Sequence, residues 1–277
     1  MLDIKSQYEE KGWVQVPNCI PVKFIEECRI HLSEVVLTIA KANGVEIHDD
    51  TSLNDQFNFL CNHDRSLGGM VYDCMRYHPI MLEMSIAPGI LETIKKLLNS
   101  KMLFHVYDQM QFRIDRKDED QFQLKWHQDY WYNNTSINAL TVWVPLFDTP
   151  LDMGPMQIID GSHKEPSKVR IDPNFKTKWD QNRLITLAED IPYDSGHCEP
   201  CNSGSAIFMN ALTMHRSGMN TSKHNRFTFV LRYADLFDPE LISKRWKAGI
   251  MPGHVSLIKQ RPELISNLDE LKKYGVI

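Results

Sequence analysis

The sequence predicts an α+β protein in which a helical front layer packs on an antiparallel double sheet or barrel. Two observations predict this class. Apolar residues at helical spacing concentrate in residues 1–100, whereas residues 101–235 hold short β-branched or aromatic runs separated by Gly, Pro, Asn and Asp. No helical stretches of about 10–15 residues separate those runs, which favours antiparallel pairing over parallel βαβ units.

The helical layer is predicted from three stretches. In residues 21–44 apolar side chains recur at helical spacing, with Pro21 where a first-turn proline is tolerated and Gly44 where a helix would end. A second stretch runs from about Leu67 to Met84, and a third begins at Pro88. These patterns are typical of packing helices rather than of a catalytic unit.

The β core is predicted from five runs bounded by turn residues. In order they are "MLFHVYDQMQFRI", "INALTVWVPLF", "GPMQIID", "GSAIFMN" and "NRFTFVLRYADL". The chain has no internal repeat and no evident linker, so a single domain over residues 1–277 is predicted. Within it residues 1–100 are the helical layer, 101–235 the β core and 236–277 a helical tail.

Composition excludes several partners. The chain has 277 residues, 42% hydrophobic and 24% charged, and its net charge of -5 argues against a nucleic-acid partner. No uncharged apolar run of about 18 residues occurs, which argues against a membrane span. The polar start fits no targeting peptide, and the 6 cysteines have no framework spacing. A cytoplasmic monomer or homodimer acting on a small molecule is predicted.

A His-x-Asp pattern marks the main candidate for chemistry. His127 and Asp129 follow a strand-like run, and on an extended chain residues two apart point to the same side. An imidazole and a carboxylate so placed can take neighbouring positions on one metal ion. The same spacing occurs at His48 and Asp50, but in a polar, turn-like stretch ahead of the β region. His127 and Asp129 are therefore favoured.

The third metal ligand is expected from a later strand. His215 stands where an apolar run gives way to a turn, and is favoured over His224 nine residues on. Two histidines and one carboxylate form the facial triad of iron(II) oxygenases, which leaves coordination positions open. Arg226 lies 11 residues after His215 and opens the next strand. A hairpin of that length can return its guanidinium to the metal. Such a group suits a carboxylate co-substrate.

In combination these motifs resemble the phytanoyl-CoA dioxygenase family of iron(II)- and 2-oxoglutarate-dependent oxygenases. The resemblance covers about residues 6–235. It is carried by the opening "YEEKGWVQVPNCIPVKFIEECR", by "HQD" at 127–129, by "TVWVPLFDT" and "GPMQIIDGSHK", and by "MHRSG" with Arg226. It implies a double-stranded β-helix of the jelly-roll or cupin kind. It also implies Fe(2+) as cofactor, with 2-oxoglutarate and O2 as co-substrates.

The resemblance also implies residue roles. His127, Asp129 and His215 are the expected iron ligands. The residues expected to contact 2-oxoglutarate are Arg226, Ser217, Trp143, Gln111 and Gln109. Because Asp129 is present, oxygenation is favoured over halogenation, since related halogenases lack this carboxylate.

The substrate is predicted less sharply. The expected reaction is hydroxylation of an unactivated C–H bond in a small, polar metabolite, with release of succinate and CO2. Candidate substrate contacts are Tyr130, Trp131, Tyr132, Asn133 and Arg113, and strand alternation would place about half of the three aromatics on the pocket wall. Two alternatives remain: a catalytically silent metal-binding β-barrel, and a cupin-type metal hydrolase or isomerase.

Overall fold

The computed structural model describes residues 3–48, 50–117, 119, 123, 125–133, 135–171, 184–187, 189, 191, 196–246 and 269. Its helices are α1 Ile4–Lys11, α2 Val22–Ala42, α3 Leu53–His63, α4 Arg65–Tyr77, α5 Pro79–Ser85, α6 Pro88–Leu98, α7 Tyr130–Asn133 and α8 Pro239–Ser243. Its strands are β1 Trp13–Val16, β2 Leu103–His105, β3 Gln111–Asp115, β4 Ala139–Pro145, β5 Met156–Ile159, β6 Val169–Ile171, β7 Leu184–Thr186, β8 Gly196–Glu199, β9 Ala206–Asn210, β10 His215–Ser217 and β11 Arg226–Asp235.

In the described part of the chain, two antiparallel sheets form the core. The larger has the order β1-β9-β4-β11-β2, with β3 also paired to β11, and the smaller has the order β10-β5-β8. Trp143 and Val230 of the larger sheet share an apolar cluster with Met156 and Ile158 of the smaller one. The two sheets therefore enclose a common interior, and the predicted antiparallel double sheet is confirmed.

The outer face of the larger sheet packs on the helices. Alternate residues of its strands, including Val142, Phe208 and Phe229, join the helical residues in one apolar cluster. The predicted first and third helices are confirmed as α2 and α6. The predicted stretch from Leu67 to Met84 is two helices, because His78 precedes Pro79 and takes an extended conformation (φ -66°, ψ 137°).

The amino-terminal elements close the core. Gly12 ends α1 in a left-handed conformation (φ 85°), and β1 then pairs with β9. A side chain at Gly12 would meet the ring of His163 at 2.4 Å, so this position requires glycine. The opening segment that carries the family resemblance contains β1 and the start of α2.

The predicted helical tail is described only at its start. α8 occupies Pro239–Ser243, and residues 247–268 and 270–277 lie outside the described residues. The single-domain organisation stays a prediction. Within the described residues, none of the helices combines the length and apolar character needed to cross a membrane.

Candidate metal centre

His127, Asp129 and His215 are brought together at one end of the interior. Each of the three offers one potential ligand atom, and these atoms all lie within 4.8 Å of one another. All three residues are buried. A two-residue bridge holds the histidines together: His127 N donates to His215 O at 3.1 Å, and His215 N donates to His127 O at 3.0 Å. The bridge joins the segment before α7 to the start of β10.

Backbone carbonyls set the orientation of both imidazoles. His127 Nδ1 lies 2.8 Å from Lys125 O, and His215 Nδ1 lies 2.8 Å from Thr213 O. A carbonyl oxygen can only accept, so each Nδ1 carries a proton and each Nε2 is the nitrogen left to bind a metal ion. Both imidazoles thus present the Nε2 donor that a metal ion requires.

The carboxylate of Asp129 is held by one oxygen. Thr141 Oγ1 donates to Asp129 Oδ2 at 2.5 Å, and Arg232 Nε lies 3.4 Å from the same oxygen. The other oxygen, Oδ1, lies 3.6 Å from His127 Nε2. Oδ1 therefore faces the imidazole nitrogens, whereas Oδ2 contacts Thr141 on β4 and Arg232 on β11.

The electrostatics of the site suit a cation. Burial alone would raise the pKa of the Asp129 carboxyl, but Arg232 and the two histidines hold it well below its usual range. Burial and the neighbouring His127 lower the pKa of His215 to about 4. A charged carboxylate beside a neutral imidazole is the protonation state in which these groups bind metal.

One cavity contains the three ligands and most of the predicted co-substrate residues. Gln111, Trp143 and Ser217 line it, and so does the predicted substrate contact Arg113. Gln109 does not: its backbone oxygen accepts from Arg232 Nη1 at 2.5 Å, and its side chain is buried elsewhere. About 30 Å³ remains open among these side chains.

Arg226 lies behind this cavity rather than in its wall. Its Nη1 donates to Gly218 O at 3.2 Å and to Met153 O at 3.0 Å, and Nη2 lies 3.0 Å from Asp115 Oδ2. Its buried Nε makes no hydrogen bond to the described residues. Arg113 Nη2 also binds Asp115, at 2.8 Å. Burial alone would raise the pKa of Asp115, but the two guanidinium groups hold it well below its usual range.

The aromatic run after Asp129 does not alternate as predicted. Residues 130–133 form one helical turn, α7, so the strand argument was wrong for them. Tyr130 and Trp131 pack in an apolar cluster, and the Tyr130 hydroxyl donates to Glu240 at 2.9 Å. Tyr132 lies edge-on to the His127 ring, with ring centroids 5.6 Å apart, whereas Asn133 is buried without lining the cavity.

The rival histidines lie elsewhere. His48 and His224 are exposed, and neither belongs to the cluster of potential ligands. Asp50 is exposed as well, whereas Asp49 lies outside the described residues.

The sequence interpretation missed several residues that line the cavity. They are Thr141, Arg232, Met156, Met209 and Val230. Alternation could have found three of them: Thr141 is two residues before Trp143, and Val230 and Arg232 are four and six after Arg226 on the same strand.

The distal histidine also depends on the amino-terminal turn. Gly12 O accepts from the Thr213 hydroxyl at 2.6 Å and from Asn210 N at 2.8 Å. Thr213 O is in turn the partner of His215 Nδ1. The turn at Gly12 thus helps to hold a candidate ligand.

A larger cavity adjoins the first at the edge of β3. It measures about 450 Å³ and shares Arg113 with the metal cavity. Its other lining residues, on α3, α4 and β3, are Phe57, Arg65, Gly68, Gly69, Tyr72, Asp73, Ile114 and Asp115. The wall mixes apolar, charged and small residues.

Comparison with known proteins gives consistent matches. The family model described as phytanoyl-CoA dioxygenase (PhyH) matches residues 8–228. The chain is 20% identical over 220 residues to 1-deoxypentalenic acid 11-beta-hydroxylase of Streptomyces exfoliatus, covering 78% of this chain and 73% of that protein.

Two of the solved structures illustrate the likeness in fold. The epimerase SnoN, in complex with Fe3+, alpha ketoglutarate and nogalamycin RO, has a TM-score of 0.56 at 20% identity, covering 84% of this chain and 82% of that one. EctD from S. alaskensis with bound Fe has a TM-score of 0.54 at 14% identity, covering 83% and 75%. These likenesses establish the double-stranded β-helix fold.

Proposed function

The chain belongs to the phytanoyl-CoA dioxygenase family, and from this premise we propose that it hydroxylates an unactivated C–H bond of a small, polar metabolite. Membership makes it an iron- and 2-oxoglutarate-dependent oxygenase. In the proposed reaction, O2 and 2-oxoglutarate are consumed with the substrate, and the products are an alcohol, succinate and CO2.

The observation that carries this proposal is the convergence of two Nε2 donors and one carboxylate oxygen within 4.8 Å. Two imidazoles and one carboxylate suit iron(II) and leave positions for other ligands. We assign His127, Asp129 and His215 to the metal. Bound iron(II) supplies the redox chemistry by which O2 and 2-oxoglutarate are activated.

The residues around the metal position the co-substrate. We assign the distal carboxylate of 2-oxoglutarate to Ser217 and Arg226, because Ser217 lines the cavity and Arg226 binds the adjoining Gly218 carbonyl. The buried Nε of Arg226 is a donor without a hydrogen-bond partner among the described residues. Gln111 and Trp143 complete the wall, and Asp115 shares Arg226 with the incoming carboxylate.

The substrate is assigned to the neighbouring cavity, which Arg113 joins to the metal. Its volume of about 450 Å³ fits a small molecule, and its charged and tyrosine lining supports a polar one. Among the aromatics, Tyr132 is the best placed to approach the reacting end of a substrate, since it touches the His127 ring. The relative from Streptomyces exfoliatus, named as a hydroxylase, supports hydroxylation as the outcome.

The test is succinate release by the full chain with iron(II), 2-oxoglutarate and ascorbate over a panel of small polar metabolites. A substrate should raise succinate release and appear with one added oxygen by mass spectrometry. No turnover of 2-oxoglutarate under any condition, together with tighter binding of zinc than iron, would favour the hydrolase or silent-barrel alternatives. A product of unchanged mass would instead indicate isomerisation.

A further inference from the structure

Arg232 is a buried cation beside the metal ligands to which the roles above assign no function. It is 7% exposed and lies on β11 directly opposite Thr141 of β4. Because both residues point to the inner face, both reach Oδ2 of Asp129. One partner is neutral and the other is charged.

We propose that Arg232 is a placeholder cation, which compensates Asp129 while the site is without metal and weakens metal binding once the metal arrives. This rests on the proposed assignment of Asp129 to the metal. Thr141 donates to the same oxygen, Oδ2 of Asp129, and orients the carboxylate so that Oδ1 faces the histidines.

The physical argument concerns a buried charge. Asp129 is 2% exposed, and a carboxylate at that depth is strongly unfavourable unless a cation or several donors compensate it. Arg232 supplies this compensation without metal. A bound divalent cation compensates the same carboxylate again, and it repels the guanidinium. Arg232 therefore stabilises the metal-free protein more than the metal-bound protein, which by linkage lowers metal affinity.

The first test is a double-mutant cycle on metal-free protein. Arg232→Gln and Asp129→Asn should each lower Tm by more than about 5 °C, because each leaves one buried charge alone. The double variant should lose clearly less than the sum of the two losses. The Gln109 contact of Arg232 is lost in both variants that lack the arginine, so it cancels from the coupling.

The second test is titration with Mn(II), followed by electron paramagnetic resonance. Arg232→Gln should bind Mn(II) about tenfold more tightly than the wild type, a change of about 1.4 kcal/mol. Thr141→Val should bind it more weakly, because it removes orientation and leaves the charge in place. Arg232→Lys, which keeps the cation, should stay close to the wild type.

The outcomes separate this role from a purely structural one. If Arg232→Gln lowers Tm equally with and without Mn(II) and its affinity is unchanged or weaker, the proposal is wrong. If that variant does not fold, recovery of folding in the double variant supports the proposal and its absence overturns it. Wild-type protein that binds Mn(II) but never releases succinate contradicts the proposed reaction, and the cycle still decides the role of Arg232.

Discussion

The larger sheet has two faces built from alternate residues of the same strands, and they differ in chemistry. On β11, Phe229 and Leu231 face the helices, whereas Arg226 and Arg232 face the interior between the sheets. All four are buried. Burial alone therefore does not distinguish core from site in this sheet, whereas the parity of the residue along the strand does.

The two faces also differ in what stabilises them. The outer face is stabilised by apolar packing that has no direction, such as the edge-on pair of Phe112 and Phe229 with centroids 5.0 Å apart. The inner face combines an apolar cluster around Trp143 and Val230 with paired charges, in which Arg226 and Arg232 each have a buried carboxylate. A change on the outer face should therefore affect stability first, and a change on the inner face should affect chemistry first.

The largest expected effect is on the inner side. His215→Ala removes one of two imidazole donors, so succinate release should fall to background while the protein stays folded. His48→Ala, at an exposed histidine of the same motif, should leave activity unchanged. Both are measured by succinate release and by circular dichroism. Activity lost in His48→Ala and kept in His215→Ala would contradict the ligand assignment.

The next largest effect is expected from a change on the outer face. Phe229 is fully buried, and Phe229→Ala should lower the free energy of unfolding by about 3–5 kcal/mol through lost burial and a residual cavity. Protein that remains folded should still bind metal. Urea unfolding measures the loss, and Phe59→Ala, at a residue 56% exposed, is the control with a change within about 0.5 kcal/mol. A loss of metal binding in folded Phe229→Ala would mean that the faces are not independent.

A third prediction concerns the ion pair of Asp115 and Arg226 behind the cavity. Asp115→Asn removes the carboxylate that the buried Arg226 shares with the half-buried Arg113, and should lower the free energy of unfolding by about 3 kcal/mol. Because Asp115 no longer shares Arg226, the KM for 2-oxoglutarate should fall. Unfolding curves and the dependence of succinate release on 2-oxoglutarate measure the two effects. An unchanged or higher KM would show that Arg226 does not receive the co-substrate.

The Asp115 carboxyl should make the stability of the protein depend on pH in a predictable direction. Its pKa in the folded protein lies below the ordinary 3.8, so its stabilising effect is present above that pH and is lost as the pH falls through the folded value. The acid-induced loss of stability should therefore be smaller in Asp115→Asn than in the wild type. The exposed Glu34→Gln is the control and should follow the wild type.

The smallest expected effect concerns the reactivity of cysteine thiols on the outer and inner faces of the larger sheet. Burial, as the main cause, raises the pKa of Cys28 on α2 and of Cys201 in the interior cluster to about 12. Iodoacetamide at pH 8 should label the exposed Cys74 and leave both of these unmodified until the protein unfolds. Peptide mass spectrometry reads the result. Rapid labelling of Cys201 would show that the interior is open to solvent beyond the metal cavity.

The sequence predicts the outer face better than the inner one, for a physical reason. Apolar periodicity is local, so β4, β9, β11 and the helices α2 and α6 could be found from neighbouring residues alone. The ligand set could be predicted because the His-x-Asp spacing, the distal histidine and Arg226 also matched a family pattern.

The remaining features depend on contacts between distant segments. Asp115 meets Arg226 because β3 pairs with β11 in one register, and Thr141 stands opposite Arg232 because β4 pairs with β11 in another. Nothing local to these residues specifies those pairings. The helical turn at Tyr130 was missed for the same reason, since its packing partners, such as Glu240, are far along the chain.

The contact between Gly12 and Thr213 has a consequence for how the site comes into being. The two residues are separated by 201 positions, so a chain emerging from the ribosome contains the turn at Gly12 long before the partner of that turn exists. His127 must likewise wait for His215. The metal site therefore cannot assemble before residue 215 has been made, and a nascent or truncated chain that ends before it cannot capture iron in this geometry.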